Sequence, residues 1–119
     1  MKECVFCKII KGELKASKKY EDELVIAFLD ANPVSKNHTL IVPKKHYENI
    51  YDTPKKYLQR IITVAKKLAK EYKKKQGIEN INLLHASGEY AEQSVFHYHM
   101  HLIPRKENDG LRLWLKKTF

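Results

Sequence analysis

Glycine and proline are scarce in this 119-residue chain, four of each, and cysteine is scarcer at two. So little glycine and proline excludes collagen-like and low-complexity sequence, and two cysteines exclude a disulfide framework. No apolar run approaches the roughly 20 residues of a membrane span; the longest, 24–29 and 40–43, suit strands. The start, Met1-Lys2-Glu3-Cys4, opens no apolar segment of the secretory kind, so the expected location is the cytoplasm, with no membrane partner. Acidic residues are also few, 14 against 23 lysines and arginines, a net charge of +9. That excess directs attention to nucleic acid, an anionic surface or a polyanionic small substrate. What remains, 43% hydrophobic and 31% charged residues, is the balance of a globular chain rather than a disordered one. The length predicts a single domain over residues 1–119, able to bury about two-thirds of its unfolded surface.

Periodicity predicts an α+β fold. Residues 4–11 suit a short amphipathic helix ending at Gly12. Segments 19–21, 24–29, 38–43, 81–85 and 96–103 suit five strands, mostly antiparallel, with Pro33 and Pro43 as stops. One long helix fills the middle, with Thr53 as N-cap, Pro54 as first helical residue and Gly77 as C-terminal stop. Leu58, Ile61, Ile62, Ala65, Leu68, Ala69 and Tyr72 are spaced to share its inner face. Residues 53–77 also carry nine lysines and arginines against one acid, Glu71, so nearly the whole charge excess sits on this helix. A solvated helix surface explains it more simply than a nucleic-acid groove.

The segment His97-Tyr98-His99-Met100-His101-Leu102-Ile103 carries the clearest chemistry. On a strand its three imidazoles share one face, and Tyr98, Met100 and Leu102 share the other. A polar sheet edge, a metal centre, and catalysis or phosphate binding by imidazole are the three readings. A barrel-type metal pattern lacks its carboxylate, since Ile103 and Pro104 stand where one is needed, and chemistry by imidazole is preferred. Cys4-Val5-Phe6-Cys7 follows no strand, as a redox pair would; it supplies half of a tetrahedral zinc site, or two buried thiols.

The seven-residue segment resembles the signature of the histidine-triad family of nucleotide hydrolases and transferases. Residues 4–10, 28–33, 38–46 and 93–96 match the family's pattern in order, so the resemblance covers residues 4–105. It implies a five-stranded antiparallel sheet with one long and one short helix, paired as a homodimer. It also implies cleavage at the α-phosphorus of nucleoside 5′-phosphoramidates, adenylates or dinucleoside polyphosphates. His99 would be the nucleophile, forming a nucleotidyl-histidine that water resolves to a nucleoside monophosphate. His101 would steady the phosphate oxygens, with Ser94 on the phosphate or leaving group and His38 as a further imidazole. Asp30 would accept from the ribose, Phe6 and Phe28 would wall a base expected to be a purine, and Gln93 would line the same loop. His97 counts as a catalytic candidate or, with Cys4, Cys7 and His46, as a ligand of a structural zinc; no organic cofactor is expected.

Two positions depart from the family's pattern. Ala86 stands where many members carry a phosphate-side asparagine. Glu92 stands where they commonly have glycine, which tolerates backbone angles that glutamate does not. A weakly catalytic nucleotide sensor or scaffold, or a basic module acting on adenylated nucleic-acid ends, are the alternatives to an enzyme.

Overall fold

The computed structural model describes residues 4–116. Its order is α1 (Val5–Ile10), β1 (Lys18–Glu21), β2 (Val25–Leu29), β3 (Thr39–Pro43), α2 (Lys55–Gln76), β4 (Asn80–Leu84), a 3-10 turn at Glu89–Ala91, and β5 (Met100–Arg105). The strands form one antiparallel sheet in the order β1-β2-β3-β5-β4. This is the expected α+β architecture, a five-stranded sheet with one long and one short helix.

Strands β2 and β3 are covered on both faces, which is why they read as continuous apolar runs rather than alternating ones. Val25, Ala27 and Ile41 meet Ile61, Val64, Ala65, Leu68 and Tyr72 of α2, together with Tyr98 and Leu102. Ile26, Phe28, Leu40 and Val42 point the other way and pack on Phe6 of α1. The sheet therefore separates a thick helical layer from a thin one, and the histidines lie on the thin side.

The long helix differs from expectation at its start and in one face residue. Its N-cap is Pro54, extended at ψ 150°, with no side chain capping the first turn. The Thr53 hydroxyl donates instead to the Asn49 carbonyl at 2.6 Å, closing the preceding loop. Ile62 is 48% exposed, and Val64 and Tyr57 are buried in the inner stripe. At 100° per residue, a stripe advancing 57-61-64-68-72 leaves Ile62 on the flank. Gly77 does end the helix. It is left-handed at φ 68°, and the Gly77 and Ile78 N–H groups reach back to Lys73 and Tyr72 carbonyls in a Schellman arrangement.

The last strand is shifted from its expected 96–103. Ladder pairing begins at Met100, where it faces Ile41, and continues through Pro104 to Arg105. Pairing with β3 stops at Leu102, so Pro104 lies where the strand has a neighbour on one side only, a position that tolerates its missing N–H. His97 to His99 precede the ladder, and His85 lies one residue beyond β4. No described helix is long and apolar enough to cross a membrane.

Candidate active site

All three triad histidines do lie toward α1, although only His101 stands in a strand. The Phe6 ring meets His97 and His99 edge-on, with centroids 5.7 and 5.1 Å away, and the His99 and His101 rings are 5.0 Å apart. Tyr98, Met100 and Leu102 point into the α2-side core as expected. Beside the histidines opens a cavity of about 710 Å³, within the range of small-molecule sites. Phe6, Phe28, Asp30, Ser94, His99 and His101 contribute to its lining.

Hydrogen bonds fix which nitrogen of each ring carries the proton. A carbonyl oxygen only accepts and a backbone N–H only donates. His99 Nδ1 lies 2.8 Å from the His97 carbonyl, so Nδ1 is protonated and Nε2 keeps its lone pair. His38 Nδ1 accepts from the Val34 N–H at 3.1 Å, so its proton sits on Nε2. That proton is donated to His101 Nδ1 at 2.8 Å, leaving His101 with an Nε2–H donor. Two adjacent imidazoles of the cavity thus present opposite groups, His99 a bare Nε2 lone pair and His101 an Nε2–H donor.

Burial favours these neutral forms. It lowers the His99 pKa, against the opposing pull of the His97 carbonyl. It takes His101 down to about 4, helped by the neighbouring His99 and His38. His38 is likewise lowered by burial, against the attraction of Asp30, whose Oδ2 is 3.5 Å from its Nε2.

The remaining candidates are distributed unevenly. Asp30 and Ser94 reach the cavity; Phe6 and Phe28 are 5% and 2% exposed and form its floor. His38 stands behind His101 rather than at the cavity surface. Gln93 does not line the cavity either. Its Oε1 accepts from the Gly88 N–H at 2.7 Å, and its Nε2 donates to the Glu48 and Val95 carbonyls at 2.6 and 3.1 Å. Glu92 adopts the left-handed conformation at φ 70°, the backbone its glycine-like position demands. Sequence reasoning missed His85 and Ser87, which stand directly behind the His99 backbone. No local signal marks them: the expected strand 81–85 includes His85, whereas β4 ends one residue before it.

Cys4, Cys7, His46 and His97 form a second cluster beside the cavity. His97 Nε2 donates to the Pro43 carbonyl at 2.8 Å, leaving Nδ1 bare and aimed at the others. From it, Cys4 Sγ, Cys7 Sγ and His46 Nδ1 lie at 3.3, 3.6 and 3.1 Å, and Cys7 Sγ to His46 Nδ1 is 3.3 Å. Donors bound to zinc at 2.0–2.3 Å in a tetrahedron are about 3.3–3.8 Å apart. The donor set and its spacing fit that ion.

The HIT domain family model matches residues 11–108. The chain belongs to the HIT family. An uncharacterised HIT-like protein of Methanocaldococcus jannaschii is 50% identical over 107 residues, 90% of this chain and 82% of that one. Adenosine 5′-monophosphoramidase of Saccharomyces cerevisiae is 41% identical over 109 residues, 91% of this chain and 66% of that one. The crystal structure of a zinc-bound histidine triad family protein from Mycobacterium smegmatis superposes with a TM-score of 0.87 at 34% identity, covering 92% of this chain and 80% of that one. In this HIT protein the segment His97-Tyr98-His99-Met100-His101 lies within the matched residues.

Proposed function

We propose that this HIT protein is a nucleotide hydrolase that cleaves at the α-phosphorus of nucleoside 5′-phosphoramidates or related adenylates. The observation that carries this reading is the His99 tautomer, with Nδ1–H held by the His97 carbonyl and Nε2 free. The Nε2 lone pair attacks phosphorus, the bond to the leaving nitrogen or oxygen breaks, and the leaving group departs with its electron pair, a leaving nitrogen taking up a proton from solvent that the water of the second step returns. The adduct ring is cationic, since Nδ1 keeps its proton, and the His97 carbonyl stabilises that charge. Water then attacks phosphorus, gives up a proton, and breaks the phosphorus–Nε2 bond to release the monophosphate. His101 Nε2–H faces the phosphate oxygens, Ser94 serves the phosphate or leaving group, and Asp30 the ribose. Phe6 and Phe28 lie under the base.

Cys4, Cys7, His46 and His97 would hold zinc as a structural ion, tying α1 to the loop after β3. With that ligand role His97 contributes its carbonyl, not its ring, to the reaction. A second copy of the chain is the proposed protein partner. Among the described residues no strand pairs with the outer edge of β4, and Leu83 and Ile62 beside it are 40% and 48% exposed, in a shallow apolar depression with Ala69 and Ile81.

Adenosine 5′-monophosphoramidate incubated with the purified protein should release AMP, and rapid acid-free quenching should trap a nucleotidyl adduct on His99 by mass spectrometry. Undiminished turnover by His99→Ala would overturn the mechanism.

A further inference from the structure

Both ladders that hold β5 end just short of the nucleophile. Toward the N-terminal end of β5, pairing with β3 ends at the Ile41–Met100 pair and pairing with β4 at the Leu84–His101 pair. The His99 carbonyl is therefore beyond the regular sheet, yet the orientation of the His99 ring depends on the backbone that bears it. A side chain takes the place of the missing strand: His85 Nδ1 lies 2.9 Å from the His99 carbonyl oxygen. The acceptor can only be the oxygen, so His85 carries its proton on Nδ1 and leaves Nε2 bare. Ser87 fills that position, its Oγ 2.5 Å from Nε2. The same oxygen accepts from the Ile50 N–H at 3.0 Å, which turns the hydroxyl proton toward the ring. His85 also stacks on Tyr98, centroids 4.2 Å apart and 25° from parallel.

From this geometry we propose that His85 is a positioning residue for His99, and that Ser87 holds it in the one tautomer able to do the task. This rests on the reading of His99 as the nucleophile. The unit is directional: Ile50 N–H to Ser87, Ser87 O–H to His85, His85 N–H to the His99 carbonyl. It fastens the nucleophile's backbone to the loop that follows His46, where the Tyr98 N–H also bonds the Tyr47 carbonyl at 2.7 Å. His85 touches no reacting atom in this scheme. It acts by keeping the His99 lone pair aligned for attack.

The test combines turnover with a spectroscopic readout that needs no substrate. With adenosine 5′-monophosphoramidate, His85→Leu should lower kcat by about 10- to 100-fold, the scale of a misaligned reacting group, with KM little changed. His85→Asn, whose amide N–H can replace Nδ1–H, should recover most of the loss, and Ser87→Ala should fall between. Long-range nitrogen–proton NMR of the imidazoles should find His85 as the Nδ1–H tautomer in the wild-type protein and as a mixture in Ser87→Ala. The His99 tautomer should become mixed in His85→Leu. Wild-type kcat in His85→Leu, a loss confined to KM, or His85 found as the Nε2–H tautomer would each overturn the proposal. A wild-type protein without turnover would refute the hydrolase reading instead, and the NMR pattern would still decide the positioning role.

Discussion

The Nδ1 atoms of His46 and His97 face one another across 3.1 Å, with the Cys7 thiol 3.3 and 3.6 Å from them. Two imidazole lone pairs directed at one point repel unless a proton or a cation lies between them. We expect one zinc per chain by elemental analysis of protein purified without chelator. Cys7→Ser should lose most of the metal, and chelation should lower the melting temperature, because metal-site binding energy is folding energy. Metal-free protein with an unchanged melting temperature would contradict this.

Acid should destabilise the protein through His38 and His101. Both are held below the ordinary histidine value of 6.5, mainly by burial, and His101 falls to about 4. As pH drops below 6.5 the unfolded chain takes up these protons before the folded one does. Stability is then complete above about pH 6.5 and declines toward pH 4. Thermal melts from pH 7.5 to 4.5 should show the decline, and a smaller one in His101→Gln at equal metal content. A flat profile would refute it.

Glu92 carries a side chain in a backbone conformation that costs L-residues roughly 1–2 kcal/mol. Glycine there is free of that strain but adds unfolded-state entropy. We expect Glu92→Gly to stabilise by about 0.5–1 kcal/mol, or about 4 °C in melting temperature. The side chain is exposed, so no packing is lost. A lower melting temperature would show that the glutamate has a compensating role.

Gln93 should prove structural rather than substrate-binding. Its carboxamide joins the Gly88 N–H to the Glu48 and Val95 carbonyls, and it is 6% exposed. Removing it in Gln93→Ala takes the side-chain partner from three part-buried backbone groups, which costs about 1–3 kcal/mol for each group left without water. The urea midpoint should fall markedly, while the affinity for AMP changes little in protein that remains folded. A selective loss of AMP affinity with unchanged stability would restore the binding role.

The sheet and long helix were legible because their signals are local: apolar runs at 24–29 and 38–43, helical spacing from Leu58 to Tyr72, and Gly77 as a stop. The triad was legible because three histidines at alternate positions form a pattern in seven residues. Boundaries were less so. A strand's beginning depends on whether a partner reaches it, and nothing within 96–103 reveals that pairing with β3 ends at the Ile41–Met100 pair. The hydrogen bonds of Gln93 were not legible for a related reason, since its three partners span residues 48 to 95. The His85–Ser87 pair was invisible because its role arises from where the β3–β5 and β4–β5 ladders end.

The basic helix lies across the sheet from the triad, its lysines on the outer surface. Those lysines face solvent, where physiological salt screens exposed charge over roughly 8 Å. Exchanging them for glutamine should therefore alter solubility and attraction to polyanions first, because these depend on the charge a molecule presents to its surroundings. Most of the net charge of +9 belongs to this outer coat.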